Sequence, residues 1–341
     1  MIFNNLLNFI NNSYVFSKKK IQSLYLYSNI YNRKIKPSFV SSFEYYPSPN
    51  LLDSLIKYDK KKINIENYSL NKIWDNNNLK KKDYKNLNSF FWLFSLDLKS
   101  SKKDTQKVIL QWIDKNHRYN SKSWEIDIVA KRIIAWTSNF RLTYEDGNSN
   151  YKNKFNSIIK KQINHLINEI ERSEWVDDKM IGCAAIILTG LAYQDKDGYL
   201  KTGLNLLKKL MKFSFDNDNF PKSRNIRQLC FYLKYFILIR EWFKESQNEI
   251  PEFINENIYH LGQAYAFIWQ NNKVDLLFNG NHKKNNNAFD HYLKKFGYSF
   301  KNHSNELGGY ASLNNKKITL FMDVGSSPDK KFSSNYQAGA L

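Results

Sequence analysis

Tyr310-Ala-Ser-Leu-Asn-Asn-Lys-Lys-Ile-Thr-Leu-Phe-Met-Asp-Val324 is the stretch that decides the fold. Up to about Lys301 the chain reads as helices, and from Gly308-Gly309 the period changes. Ile318, Leu320, Met322 and Val324 alternate with Thr319, Phe321 and Asp323, the pattern of a strand with one buried face. The polar turn Asn314-Asn315-Lys316 joins it to the run starting at Tyr310, so the two form a hairpin. A lone hairpin is marginal in water. The expectation is a helical region leading into the first strands of an antiparallel sheet domain that continues past Leu341, with no partner strand inside this chain.

Working upstream, helical spacing predicts helices at about 85–97, 102–115, 123–141, 151–171, 179–193, 199–213, 225–246, 251–269 and 286–296. In the third, Ile126, Val129, Ala130, Ile133, Ile134 and Thr137 share one face. Ser123 reads as its N-cap and Pro251 as a first-turn proline. Short connections make successive helices antiparallel neighbours. A long run of hairpins must curve as each buries its face on the next. The fold class expected is mainly α, an α/α toroid of antiparallel helical hairpins followed by antiparallel strands. Residues 1–84 read as an N-terminal helical and irregular segment, with one or two short helices before residue 35. Residues 85–300 form the toroid, and the sheet domain starts at 305.

The chain has 341 residues, 42% of them hydrophobic, enough for a large core or two domains. Its net charge of +20 comes from 52 Lys and Arg against 32 Asp and Glu, which favours a polyanionic partner. Low-GC codon drift toward Lys and Asn would give the same balance. The lysines are spread along the chain, which argues against nucleic acid. Cys183 and Cys230 lie in apolar helices as small core residues, and six scattered histidines give no zinc spacing. No metal or cofactor is expected. The longest apolar run, Ile181 to Ala192, is well short of the roughly 20 residues of a membrane span. At the start, apolar residues precede Lys18-Lys19-Lys20, the reverse of a secretory signal. An amphipathic first helix is expected there.

Four constellations could carry chemistry. Trp112, Trp124, Arg132 and Trp136 combine aromatic faces for sugar rings with a guanidinium for carboxylates, although core tryptophans and a snorkelling arginine give the same pattern. Glu174-Trp-Val-Asp-Asp178 puts two carboxylates at a helix start, where they complement the dipole or one of them points into a cleft. Asp218-Asn-Phe-Pro-Lys-Ser-Arg-Asn225 gathers Lys222, Arg224 and Asn225 at a helix N-terminus, a place for an anion. Tyr232 and Tyr235 follow on that helix. Asn279-Gly-Asn-His282 is a polar turn with a lone histidine.

In their order along the chain these segments resemble the heparinase II/III-like family of bacterial polysaccharide lyases. Ser123-Trp-Glu-Ile-Asp-Ile-Val-Ala-Lys-Arg-Ile-Ile-Ala-Trp136 is similar to the family's W-x-P…R-I-x-x-W helix. Asp218…Ser223-Arg-Asn225, Leu277-Phe-Asn-Gly280, Gly309-Tyr-Ala-Ser-Leu…Phe321-Met-Asp-Val-Gly325 and Gln337-Ala-Gly339 resemble further segments of one branch. The resemblance covers roughly 85–341. It implies an incomplete toroid, a β-sandwich domain, and β-elimination on a uronic acid polysaccharide in the periplasm or cell envelope; with no visible signal, the cytoplasm is the alternative. In that chemistry the carboxylate is neutralised, a Tyr or His takes the α-proton, and an acid protonates the leaving oxygen. By this alignment the family's neutralising Asn falls on Asp177 and its companion His on Asp178. The catalytic Tyr falls near Gln228, one turn before Tyr232. Two family histidines fall on Pro221 and Gln337. The residues expected to act are Arg224, Asn225 and Lys222 on the substrate carboxylate, Tyr232 in proton transfer, and Trp124, Arg132, Trp136 and Asp178 in binding the anionic polysaccharide. A non-catalytic glycan-binding or envelope-assembly protein on the same scaffold is the alternative.

Overall fold

The structure is a computed structural model that describes residues 2–37, 43–55, 74, 79–96, 101–194, 198–270, 276, 279, 286–302, 304–315, 317–329 and 332. In chain order its helices are α1 (Ile2–Tyr27), α2 (Asn29–Lys34), α3 (Pro49–Leu55), α4 (Lys81–Ser89), α5 (Lys102–Asn116), α6 (Ile126–Ser138), α7 (Phe140–Thr143), α8 (Ser149–Glu169), α9 (Val176–Ala192), α10 (Tyr199–Ser214), α11 (Arg227–Glu245), α12 (Glu252–Tyr265) and α13 (Asn287–Lys295). The strands β1 (Glu306–Leu307), β2 (Tyr310–Asn314) and β3 (Thr319–Asp323) form one antiparallel sheet in sequence order. The expected class, mainly helical and leading into antiparallel strands, is what the chain adopts. It divides into two compact units, Met1–Ser42 with Lys62–Arg172, and Phe43–Lys61 with Ser173–Leu341. Among the described residues no helix is long and apolar enough to cross a membrane.

In the first unit α6 is buried nearly all round, because Ile128, Val129, Ile133, Ile134 and Trp136 cover more than one face. Its start differs from expectation. The helix begins at Ile126, and Ser123 sits in the preceding turn, where its Oγ donates to Asn116 Oδ1 (2.9 Å). The N-terminal region forms one 26-residue helix, α1, with α2 behind it. Trp136 lies against Phe90, Trp112 and Phe155 at ring separations of 5.0, 5.6 and 5.2 Å.

A polar chain runs through this core. His165 is buried, and its Nε2–H donates to the Trp124 carbonyl (3.0 Å). Nδ1 is then left to accept the Tyr31 hydroxyl (2.7 Å), which needs the neutral ring. Burial, with the nearby Arg132 charge adding to it, holds the imidazole down at about 4. The unfolded chain binds this proton near 6.5, so the contribution to stability is complete above that pH and is lost as pH falls toward 4. The loss should be about 3 kcal/mol. Denaturant unfolding at pH 7 and pH 4 measures it. His165→Gln should lose about 3 kcal/mol less than the native chain over that interval; equal losses would place the acid sensitivity elsewhere.

In the second unit α9 and α10 are antiparallel. Gly190 faces Leu200 and Gly203 faces Ile187, and a Cβ at Gly190 would come within 2.4 Å of the Leu200 backbone. Cys183 and Cys230 are buried in α9 and α11, as expected. Pro251 is the N-cap of α12 rather than its first residue. The sheet departs from the sequence reading twice. β1 supplies a third strand, pairing Leu307 with Tyr310. The buried face of β3 is also the opposite one: Phe321 is buried and the Asp323 side chain is almost wholly covered, while Ile318, Leu320 and Val324 are exposed. The reason is what lies beneath. Tyr310 and Phe321 stack 5.6 Å apart, and Asp323 has a charged partner below it.

Candidate functional site

The loop between α10 and α11 is held at both ends by backbone bonds. Phe215 bridges Pro221, and the Lys222 N–H donates to the Ser214 carbonyl (2.9 Å). At Arg224 the chain takes a left-handed turn, φ 59°, uncommon for a residue with a side chain. That turn brings the guanidinium under the sheet. It donates to the carbonyls of Gly308 and Gly309 and pairs with the Asp323 carboxylate. It also lies 4.2 Å from the centre of the Tyr310 ring. The Tyr310 hydroxyl donates to the Arg224 carbonyl (2.7 Å). Asn279 Nδ2 donates to the second Asp323 oxygen (2.7 Å). Gly309 allows this closeness, since a Cβ there would sit 2.8 Å from Arg224 Nη1.

Beside this clip lies a cleft of about 320 Å³, lined among others by Asp216, Lys222, Gly308, Gly325, Ser326 and Asp329. Lys222 Nζ donates to the Lys212 carbonyl at the end of α10 (2.9 Å).

A second arrangement adjoins the loop. The first turn of α11 lies beside the first turn of α9. Arg227 Nη2 donates to Asp177 Oδ2 (2.9 Å), and Gln228 Nε2 donates to Asp177 Oδ1 (3.0 Å). Gln228 in turn accepts from Ser223 Oγ (2.6 Å). Asn225 Oδ1 accepts the Arg227 N–H (3.1 Å), the first amide of α11. Two helix N-termini therefore face the same patch, and both favour negative charge. Arg227 is half-exposed, Asp177 and Asp178 are partly exposed, and Trp175 is 64% exposed.

The residues expected to act fall into separate environments. Lys222, Arg224 and Asn225 share the loop, but Arg224 and Asn225 are buried, and each is committed to the protein's own groups. Tyr232 is fully buried, its hydroxyl donating to the Val176 carbonyl (3.2 Å), and burial with the Asp177 charge pushes its phenol well up. That is the wrong direction for a base, so the structure gives Tyr232 a packing role. Trp124, Arg132 and Trp136 are also fully buried, in the first unit. Arg132 donates to Asn88 and Ser123 carbonyls and to Gln162 Oε1 (3.2 Å), with its guanidinium 3.9 Å from the Trp112 ring centre. These three hold a core instead of presenting a sugar surface. Asn279 is buried beside Asp323, whereas His282 and Gln337 lie outside the described residues. Arg227, Gln228 and Trp175 are the site residues that the sequence reading did not select. Arg227 and Gln228 follow the flagged loop directly, and Trp175 precedes the flagged Asp pair; position relative to two helix starts was the available signal.

No protein-family model matches the chain, and no curated protein sequence matches it. Among solved structures the fold is similar to that of heparan sulfate lyase HepC from Pedobacter heparinus, with a TM-score of 0.52 at 14% identity. The likeness covers 82% of this chain and 49% of the lyase, so the chain spans about half the length of that protein. The fold is thus heparinase-like, antiparallel helical hairpins leading into a β region.

Proposed function

We propose that this protein acts on an acidic, uronic acid-containing polysaccharide as a polysaccharide lyase, cleaving by β-elimination, with the periplasm or cell envelope as its place. The likeness of the fold to a heparan sulfate lyase carries this reading. The paired starts of α9 and α11 add a local reason: Arg227 supplies positive charge there, and Trp175 offers an open ring for a sugar face. A second reading, binding without cleavage, has its own support. The position aligned with the family's neutralising Asn is an ion-paired Asp177, and Tyr232 is buried. Incubation with a panel of uronate polysaccharides separates the two. Absorbance of the unsaturated product supports the lyase, and retention of a polymer with no absorbance supports the binding protein. Neither signal removes both.

Asp177→Asn tests the patch itself. The change removes a carboxylate that repels a uronate and frees Arg227 from its partner. Binding of a uronate polymer should strengthen roughly tenfold. Isothermal titration measures it, and unchanged affinity would take Asp177 out of the binding surface.

A further inference from the structure

Helix α1 runs 26 residues without an aspartate or glutamate. Among the side chains described, from Ser13 onward, it is seated on the first unit near its carboxyl end. There Leu26 is buried, Gln22 Nε2 donates to Glu169 (2.9 Å), and Tyr25 meets the Tyr31 ring edge-on at 5.2 Å. Residues 13–21 are exposed on every side. That stretch is far from polar. Tyr14, Ile21 and Leu24 are 65, 68 and 67% exposed. With Ser17 they stand at alternating spacings of three and four, and so form one line along the helix. In sequence, Phe3, Leu7 and Ile10 carry the same spacing toward the amino end. At about 100° per residue, Leu24 is turned away from the seated Gln22 and Leu26, while Ile21 stands beside Tyr25 at the edge of the seated side. Val15 and Phe16, also exposed, stand off this line. A helix that packs on its own protein turns its apolar stripe inward; this one turns it to water.

The charges say what covers it. Lys18 follows Tyr14 by one turn and Lys20 precedes Leu24 by one turn, so the two lysines border the stripe on opposite sides. Paired against a second copy, lysines on both borders would repel. A mostly apolar stripe bordered by lysines, with no acid in the helix, has the make-up of a helix that lies in the plane of an anionic bilayer surface. We infer that α1 is an interfacial anchor that binds this protein to anionic lipid, its stripe at the acyl boundary and Lys18 and Lys20 at the headgroups.

The test is flotation of the full chain with vesicles of phosphatidylcholine alone and of phosphatidylcholine mixed with phosphatidylglycerol. Binding to the mixed vesicles only, released by salt, is expected. Lys18→Gln with Lys20→Gln should weaken it roughly thirtyfold. Ile21→Ser with Leu24→Ser should abolish it; both side chains are exposed, so the circular dichroism of the variant should match the native chain. No flotation, or equal flotation on neutral vesicles, overturns the inference. So does a lipid-free dimer that the serine variant dissociates, which would make a second copy the cover.

Discussion

Arg224→Ala should cut hydrogen-exchange protection across β2 and β3 roughly a thousandfold while leaving the helices of the first unit unchanged. The substitution removes the donor to two carbonyls, at Gly308 and Gly309, and strands the Asp323 carboxylate under the sheet with its charged partner gone. Both side chains of the pair are largely covered, at 8% and 1% exposure, so water does not replace the lost contact. Breaking one side of a buried pair costs about 3–5 kcal/mol. A three-stranded sheet of this size has little else to hold it: besides the clip, Tyr310 and Phe321 are its main buried side chains, and two strands have five residues each. Asp323→Asn discriminates between roles. A guanidinium that serves the substrate would be freed by that change, and activity would rise or hold. A clip would fail from either end, so both variants should lose protection in the same residues. Replacing both members with apolar residues of similar size should recover part of the loss, since neither charge is then left alone. Native protection in Arg224→Ala would show that the sheet is held by its apolar contacts alone.

This clip also shows where sequence reading stops. The helices were legible because each buries a face whose spacing is local. The alternation of β3 was equally clear, yet it pointed to the wrong face. Ile318, Leu320 and Val324 outweigh Thr319 and Asp323 on any hydropathy scale, but Asp323 is the side chain that goes inside. A carboxylate is tolerable there because a guanidinium 99 residues earlier lies beneath it and the Asn279 amide meets its second oxygen. No local pattern carries that pairing. The meeting of Asp177 with Gln228, 51 residues apart, was hidden for the same reason. Arg132 is a different case, because its neighbours gave a readable signal. The run Ile128-Val-Ala-Lys-Arg-Ile-Ile-Ala-Trp136 leaves little room for a polar face. An arginine in such a run belongs to the interior as readily as to a binding surface, and pairing it with tryptophans favoured the surface. The α1 stripe was visible as amphipathicity, but its outward direction required the seated residues to be known.

Arg132→Ala should destabilise the first unit by about 3–6 kcal/mol. Three effects add. The Asn88 and Ser123 carbonyls and Gln162 Oε1 lose their donor inside the core, at about 1–3 kcal/mol for each acceptor left unmet. The Trp112 ring loses the cation above it. A cavity opens beside Trp112 where the buried guanidinium was. One effect opposes them: burial pushes the guanidinium well below its usual range, so the native chain already bears the cost of an enclosed charge, and deleting the charge returns that part. Arg132→Met separates the contributions. It refills the space and removes the charge but leaves the three acceptors unmet, so it should cost about half as much as alanine. Arg132→Lys keeps the charge but has no planar fork to serve both carbonyls and Gln162 Oε1 at once, and it should fare no better than methionine. Urea unfolding followed by tryptophan fluorescence weights this unit, since five of the eight tryptophans, Trp112, Trp124 and Trp136 among them, lie in it, and hydrogen exchange of α6 separates it from the second unit. An alanine variant within about 1 kcal/mol of the native chain that also fails to bind a uronate polymer would return Arg132 to the sugar-binding surface.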